Sequence, residues 1–237
     1  MWYLARKYNE NLLSLFLLPP TSNTKKLLNF RKFKFLVLEV PKKSENKYNV
    51  FRRIFMISRE EALEVFKKYN KSESLLHHAY CVEATMREFA VKKGEDPEYW
   101  GIVGLLHDID WEMYPEEHCK KAPELLAPYF DSDFIHSVCS HGWGICVDVE
   151  PVKEMEKILY TIDELTGLVY ATALMRPEKM VGMSVKSVKK KWSSKGFAAG
   201  VNRDLILKGS ELCGIELPEL IQTTIDALTK VSDAIGL

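Results

Sequence analysis

SESLLHHAYCVEATMREFAVKKG, residues 72–94, decides how the chain is to be read. Its apolar residues recur at Leu75, Ala79, Val82, Met86 and Phe89, the three- and four-residue steps of a helix with one buried face. Ser72 stands where such a helix takes its N-cap and Gly94 where it stops. The same pattern separates the adjacent histidines. At about 100° per residue from Leu75, the stripe spans about 320° to 40° and His78 falls at about 300°, on its edge. His77 falls at about 200° and faces solvent. His78 can therefore be a ligand, and His77 cannot.

Helical periodicity continues on both sides of this segment. Ser58 and Glu61 form a capping box for a helix running to about Tyr69. Pro97 sits in the first turn of a helix spanning Glu98 to His107, with Trp100, Val103, Gly104 and Leu106 as its close-packing surface. Pro115 opens a fourth helix, and Ser132 caps a fifth that stops at Gly142. Pro151 opens a long helix through Met175, halted by Pro177. A basic stretch, Lys186 to Lys195, precedes a helix near Asn202–Gly214, and a last amphipathic helix runs from about Pro218 to Ile235. The expected fold is all-α, a single helical domain over residues 56–237.

Residues 1–55 follow different rules. They hold 12 Lys or Arg against 3 Asp or Glu, a surplus of nine positive charges that the other 182 residues balance with 21 against 30. Every glycine, histidine and cysteine lies after residue 55. The apolar run Leu12 to Leu18 is too short for a span of roughly 20 residues, and residues 34–40 could pair as a strand but stand alone. This stretch reads as a poorly structured basic extension, as a targeting sequence, or as lying outside the working protein, with Met56 its functional start. A net charge of zero excludes a nucleic-acid coat, and no membrane association is expected. Cys81, Cys119, Cys139, Cys146 and Cys213 form no CxxC pair, so they read as reduced thiols of a cytoplasmic protein. Cys119, beside His118, offers a soft ligand but reads as a bystander. Trp143 or Trp192, if exposed, would suit an interface in a homo-oligomer.

GLLHDID, residues 104–110, is the strongest local signal. An adjacent His107–Asp108 pair after an apolar helical run offers one imidazole and one carboxylate to a single point, a mixture that hard divalent ions accept. His78 precedes His107 by 29 residues, and Asp163 follows Asp108 by 55. Asp163 borders the stripe of Met155, Leu159, Ile162 and Tyr170, where a carboxylate is costly unless paired or metal-bound. From Phe134, His141 falls at about 340° on the apolar face and His136 at about 200°, pointing away. His118 shares a face with Ala122 and Leu125.

At these residues the sequence resembles the HD-domain superfamily of metal-dependent phosphohydrolases, whose signature is H…HD…D. The resemblance covers roughly residues 75–235, through LHHA (76–79), WGIVGLLHDID (100–110), DELTG (163–167), MRP (175–177) and FAAGVNR (197–203). It is nearest to the HDIG-type members and to a group of predicted HD hydrolases, with Asp110 where an HDIG protein has Gly. The resemblance implies that His78, His107, Asp108 and Asp163 hold a first metal. It also implies that His118 and His141 stand where two-metal members add ligands, Asp108 bridging. The ion would be Mn, Fe, Ni, Co or Zn, one or two per site, and the substrate a small phosphate ester or nucleotide. Asp108 and Asp110 are the candidate catalytic carboxylates, Asp110 as general base or as orienter of a ligand. Glu112 and Glu117 are further candidates to hold a ligand's second ring nitrogen. Arg176, Arg203 and the run around Lys190 are the candidate phosphate-binding cations. Two rivals are a di-iron oxygenase and a non-catalytic metal- or nucleotide-binding module.

Overall fold

The expected caps and stripes set most of the helices in the computed structural model, which describes residues 56–194 and 196–237. Ser58 opens α1 (Arg59–Tyr69) with a reciprocal cap: its hydroxyl accepts from the Glu61 N–H, and the Glu61 carboxylate accepts from its own N–H. α2 (Glu73–Lys93) buries Ala79, Val82, Met86 and Phe89 and stops at Gly94, whose φ of 72° lies in the left-handed region that favours glycine. The Ser72 hydroxyl does not cap it; Glu112 instead accepts from the backbone N–H groups of Lys71 and Ser72. α3 (Pro97–Leu106) is capped by the Asp96 side chain and is buried almost all round, so it forms the centre of the bundle.

Between α3 and the long helix the sequence reading was too regular. Pro115 opens one 3-10 turn (Pro115–Glu117), not a helix, because Cys119 takes a φ of 60° that breaks the helical path. α4 is short (Ala122–Leu126), and α5 (Ser132–Cys139) is capped by Asp131 rather than Ser132. A 3-10 turn, Ser140–Gly142, follows it and carries His141. α6 (Glu154–Leu174) starts three residues after Pro151. The Glu156 carboxylate there accepts from the N–H groups of Val152 and Lys153 and from the Ser137 hydroxyl. The basic stretch is itself helical as α7 (Val185–Trp192), followed by α8 (Arg203–Cys213) and α9 (Leu217–Lys230). The chain closes on a 3-10 turn, Ser232–Ile235. Among the described residues there is no strand, and no helix is long and apolar enough to cross a membrane. The strand reading of residues 34–40, the reading of 1–55 as an extension, and Lys195 lie outside the described residues.

Two close helix approaches decide where the site forms. α3 crosses α2 at Gly104, where an added Cβ would stand 3.0 Å from Met86 Cγ and 3.1 Å from the Val82 carbonyl. A side chain there would have to push these neighbours back, so glycine lets the end of α3 ride low on α2. α8 crosses α6 at Gly209, whose Cβ would stand 3.0 Å from Thr161 Cα. Opposite these crossings, Arg59 makes a two-pronged bond to buried Glu83 at 2.9 Å, and Arg87 joins Glu83 to Glu98. This network ties α1, α2 and α3 with every charge paired. Trp192 is half-buried against the core, and Trp143 lies beneath Lys208, whose ammonium is 3.8 Å from the ring centroid. Neither is the exposed aromatic that an interface between copies would use.

Candidate metal centre

Five separate segments converge on one point. α2 supplies His78, the end of α3 supplies His107, and the turn that follows supplies Asp108 and Asp110. His118 comes from the irregular stretch before α4, His141 from the 3-10 turn after α5, and Asp163 from the middle of α6.

Asp108 stands between two sets of partners. Its Oδ2 lies 3.2 Å from His107 Nε2 and 3.6 Å from His78 Nε2. Its Oδ1 lies 3.4 Å from His141 Nε2 and 3.5 Å from His118 Nε2. On the first side, Asp163 Oδ1 is 2.9 Å from His78 Nε2 and 3.3 Å from His107 Nε2, and the two Nε2 atoms are 3.1 Å apart. On the second side, the Nε2 atoms of His118 and His141 are also 3.1 Å apart. An ion with bonds of about 2.1 Å separates its ligand atoms by about 3.0 Å in octahedral and about 3.4 Å in tetrahedral geometry. The first set spans 2.9–3.6 Å and the second 3.1–3.5 Å, spreads that bracket those values.

The second ring nitrogens explain why the Nε2 atoms point inward. His107 Nδ1–H donates to the Gly104 carbonyl at 2.8 Å, His141 Nδ1–H to the Val138 carbonyl at 2.6 Å, and His118 Nδ1–H to Asp110 Oδ1 at 2.9 Å. With Nδ1–H committed in this way, each ring turns its Nε2 toward Asp108. Lone pairs facing one another at 3.1 Å repel unless positive charge lies between them. The electrostatics agree. Burial opposes charge on His107, yet the carboxylates of Asp108 and Asp163 hold its pKa well above the ordinary imidazole value. Burial is likewise overcome at His141, chiefly by the Cys119 sulfur and by the bond to Asp108. Asp108 and Asp163 are held well below the usual carboxylate range, the neighbouring imidazoles outweighing the cost of burial. The cluster has the donors, the spacing and the negative potential that a divalent cation requires.

The remaining expected site residues are placed differently. His77 does not face solvent as expected: its side chain is 20% exposed against 26% for His78 and packs by Tyr170, because α6 and the C-terminal turn cover that side of α2. His136 meets Glu156, and neither reaches the cluster. Asp110 is fully buried, Oδ1 taking the His118 proton and Oδ2 accepting from the Ala122 N–H at 2.8 Å. Each oxygen thus already accepts one hydrogen bond, and the bond from His118 Nδ1–H is the one an orienter of that ring would make. Arg203 spends its guanidinium on the carbonyls of Trp192, Phe197, Ala198 and Val201. Arg176 bonds the carbonyls of Lys179 and Val181. Both staple loops through these bonds. Lys190 lies on the exposed face of α7, a solvated position. Glu112 holds the start of α2 instead of a histidine.

Two features escaped the sequence reading. Cys119 stands at the cluster: its sulfur lies 3.4 Å from His118 Nε2 and 3.6 Å from His141 Nε2. Trp111, half-exposed, sets its ring edge-on to His118 with centroids 4.7 Å apart. Adjacency to the HD pair and to His118 was the available signal for both. Compared with family models, with curated proteins and with solved structures, the chain matches none.

Proposed function

We propose that the chain is a metal-dependent phosphohydrolase of the helical HD type that its sequence resembles, acting on a small phosphate ester or nucleotide. The observation that supports this best is the placement of Asp108, one oxygen toward each of two imidazole pairs whose other nitrogens are largely tied down. His78, His107 and Asp163 with Asp108 Oδ2 would hold one ion, and His118 and His141 with Asp108 Oδ1 a second. A bound divalent ion supplies an acidified water and a Lewis acid for the phosphoryl oxygen. Imidazole and carboxylate ligation suits Mn, Fe, Co, Ni or Zn.

The chain's own groups do the rest. The carbonyls of Gly104 and Val138, with Asp110, hold three imidazoles with Nε2 toward the cluster before any ligand arrives, so the rings need not turn on binding. Side-chain exposure is 26% at His78 and 24% at Asp163 but 0% at His107 and 3% at His141. A substrate therefore approaches over His78 and Asp163, and the far wall stays dry.

The test is elemental analysis of the purified full chain together with hydrolysis of an aryl phosphate under added manganese, nickel, iron or zinc. Bound metal, with turnover lost in Asp108→Ala and kept in His77→Ala, is the expected result. Metal with oxygen uptake but no hydrolysis would favour the di-iron rival. A chain that binds no metal would be a helical binding module.

A further inference from the structure

We propose that Cys119 is a metal ligand, making the His118–His141 side of the centre a thiolate position that takes a softer ion than the His78–Asp163 side. This rests on the metal-centre reading above and adds a ligand that the H…HD…D signature does not contain.

Three observations converge on the sulfur. The first is distance. Cys119 Sγ lies 3.4 Å from His118 Nε2 and 3.6 Å from His141 Nε2, while those nitrogens are 3.1 Å apart and within 3.5 Å of Asp108 Oδ1. A tetrahedral ion, with bonds of about 2.0–2.1 Å to nitrogen and about 2.3 Å to sulfur, spaces N from N by about 3.4 Å and S from N by about 3.6 Å. The second is the backbone. Cys119 is held at φ 60°, a region that a non-glycine residue occupies only when its surroundings demand it. That conformation brings the side chains of two consecutive residues, His118 and Cys119, to the same point. The third is the space left for the sulfur. At Gly142 a Cβ would come within 2.7 Å of Cys119 Sγ and 2.5 Å of Cys146 Sγ, so only glycine lets the thiol sit there.

The sulfur is also 3.9 Å from His141 Nδ1, so it rests toward the face of that ring. Taking up an ion turns it about its own Cα–Cβ bond toward the Nε2 side. Coordination releases the thiol proton to solvent as the sulfur–metal bond forms. The two positions then differ in kind. Two nitrogens with carboxylate oxygens on the outer side accept manganese or iron, whereas two nitrogens, one oxygen and a thiolate select zinc, cobalt or iron over manganese and magnesium.

Cobalt(II) reads this directly, because a thiolate bound to it gives an intense near-ultraviolet charge-transfer band that nitrogen and oxygen ligands do not. The full chain, stripped by chelator and refilled, is expected to show the band, to keep it in Cys146→Ser and Cys139→Ser, and to lose it in Cys119→Ser. Cobalt bound by elemental analysis without the band, or a band that survives Cys119→Ser, would overturn the thiolate and leave the metal centre standing. No bound cobalt would sink both together. Should Cys119→Ser not fold, X-ray absorption at the zinc edge of the unaltered chain decides. A sulfur at about 2.3 Å is expected, and shells of nitrogen and oxygen alone would refute it.

Discussion

Asp110→Asn exchanges one oxygen for an amino group at a position with no exposure to solvent. The native carboxylate accepts twice, from His118 Nδ1–H at 2.9 Å and from the Ala122 N–H at 2.8 Å. The amide can accept only once. If its oxygen turned to His118, its NH2 would confront the Ala122 N–H, and two opposed buried donors cost about 1–3 kcal/mol. The cheaper arrangement keeps the oxygen on Ala122 and sets the NH2 against His118 Nδ1. The imidazole then accepts at Nδ1 and carries its proton on Nε2, the atom aimed at Asp108. Metal affinity on the His118–His141 side should fall about 10- to 100-fold, the range for a lost ligand-orienting partner, or about 1.4–2.7 kcal/mol. That is small beside a fold stability of about 5–15 kcal/mol, so the variant stays folded. Zinc titration against a chromophoric chelator, with helicity followed by circular dichroism, separates the two sides. One weakened and one unchanged binding step are expected. Unchanged binding at both steps would refute an orienting role, and equal weakening of both would point to general distortion.

Gly104→Ala should destabilise the chain by about 1–3 kcal/mol, since the new methyl meets Met86 Cγ and the Val82 carbonyl at 3.0–3.1 Å; thermal unfolding measures it. Arg203→Ala should expose the segment from Trp192 to Val201 to limited proteolysis while leaving KM for an aryl phosphate unchanged. Arg203→Lys should not rescue it, because an ammonium cannot reproduce the guanidinium fork. Chelator-treated protein should lose stability as pH rises above neutral. The pKa values of His107 and His141 are raised in the fold, so their contribution is complete below the unfolded value of about 6.5 and is lost as pH climbs through the raised values. Metal-loaded protein should lack that alkaline decline, and parallel melts across pH distinguish the two.

How much of this was legible depends on what kind of interaction did the deciding. The helices were readable because their burial is periodic: Ala79, Val82, Met86 and Phe89 recur at helical spacing and all four are buried. The same periodicity separated His78 from His77 and His141 from His136, since direction on a helix follows from residue number. Residues 115–121 were not readable, because their path turns on the backbone angle at Cys119, which no side-chain pattern announces. The partners of the imidazole Nδ1 atoms were hidden for a related reason: two of the three are main-chain carbonyls, of Gly104 and Val138. The partners of Arg176 and Arg203 were not legible, because a sequence displays charge but not what it bonds: each reaches backbone carbonyls in its own neighbourhood.

The graded exposure across the cluster has a kinetic consequence. Ions bound as proposed would sit at two depths, one beside the quarter-exposed His78 and Asp163 and one against the nearly sealed His141. Exchange with solvent is then fast at the outer position and slow at the inner one, whatever their equilibrium affinities. A brief pulse of chelator should strip one ion per chain and leave the other for a much longer interval. A preparation can therefore carry a trapped inner metal inherited from its history while its outer metal reports only the last buffer it met.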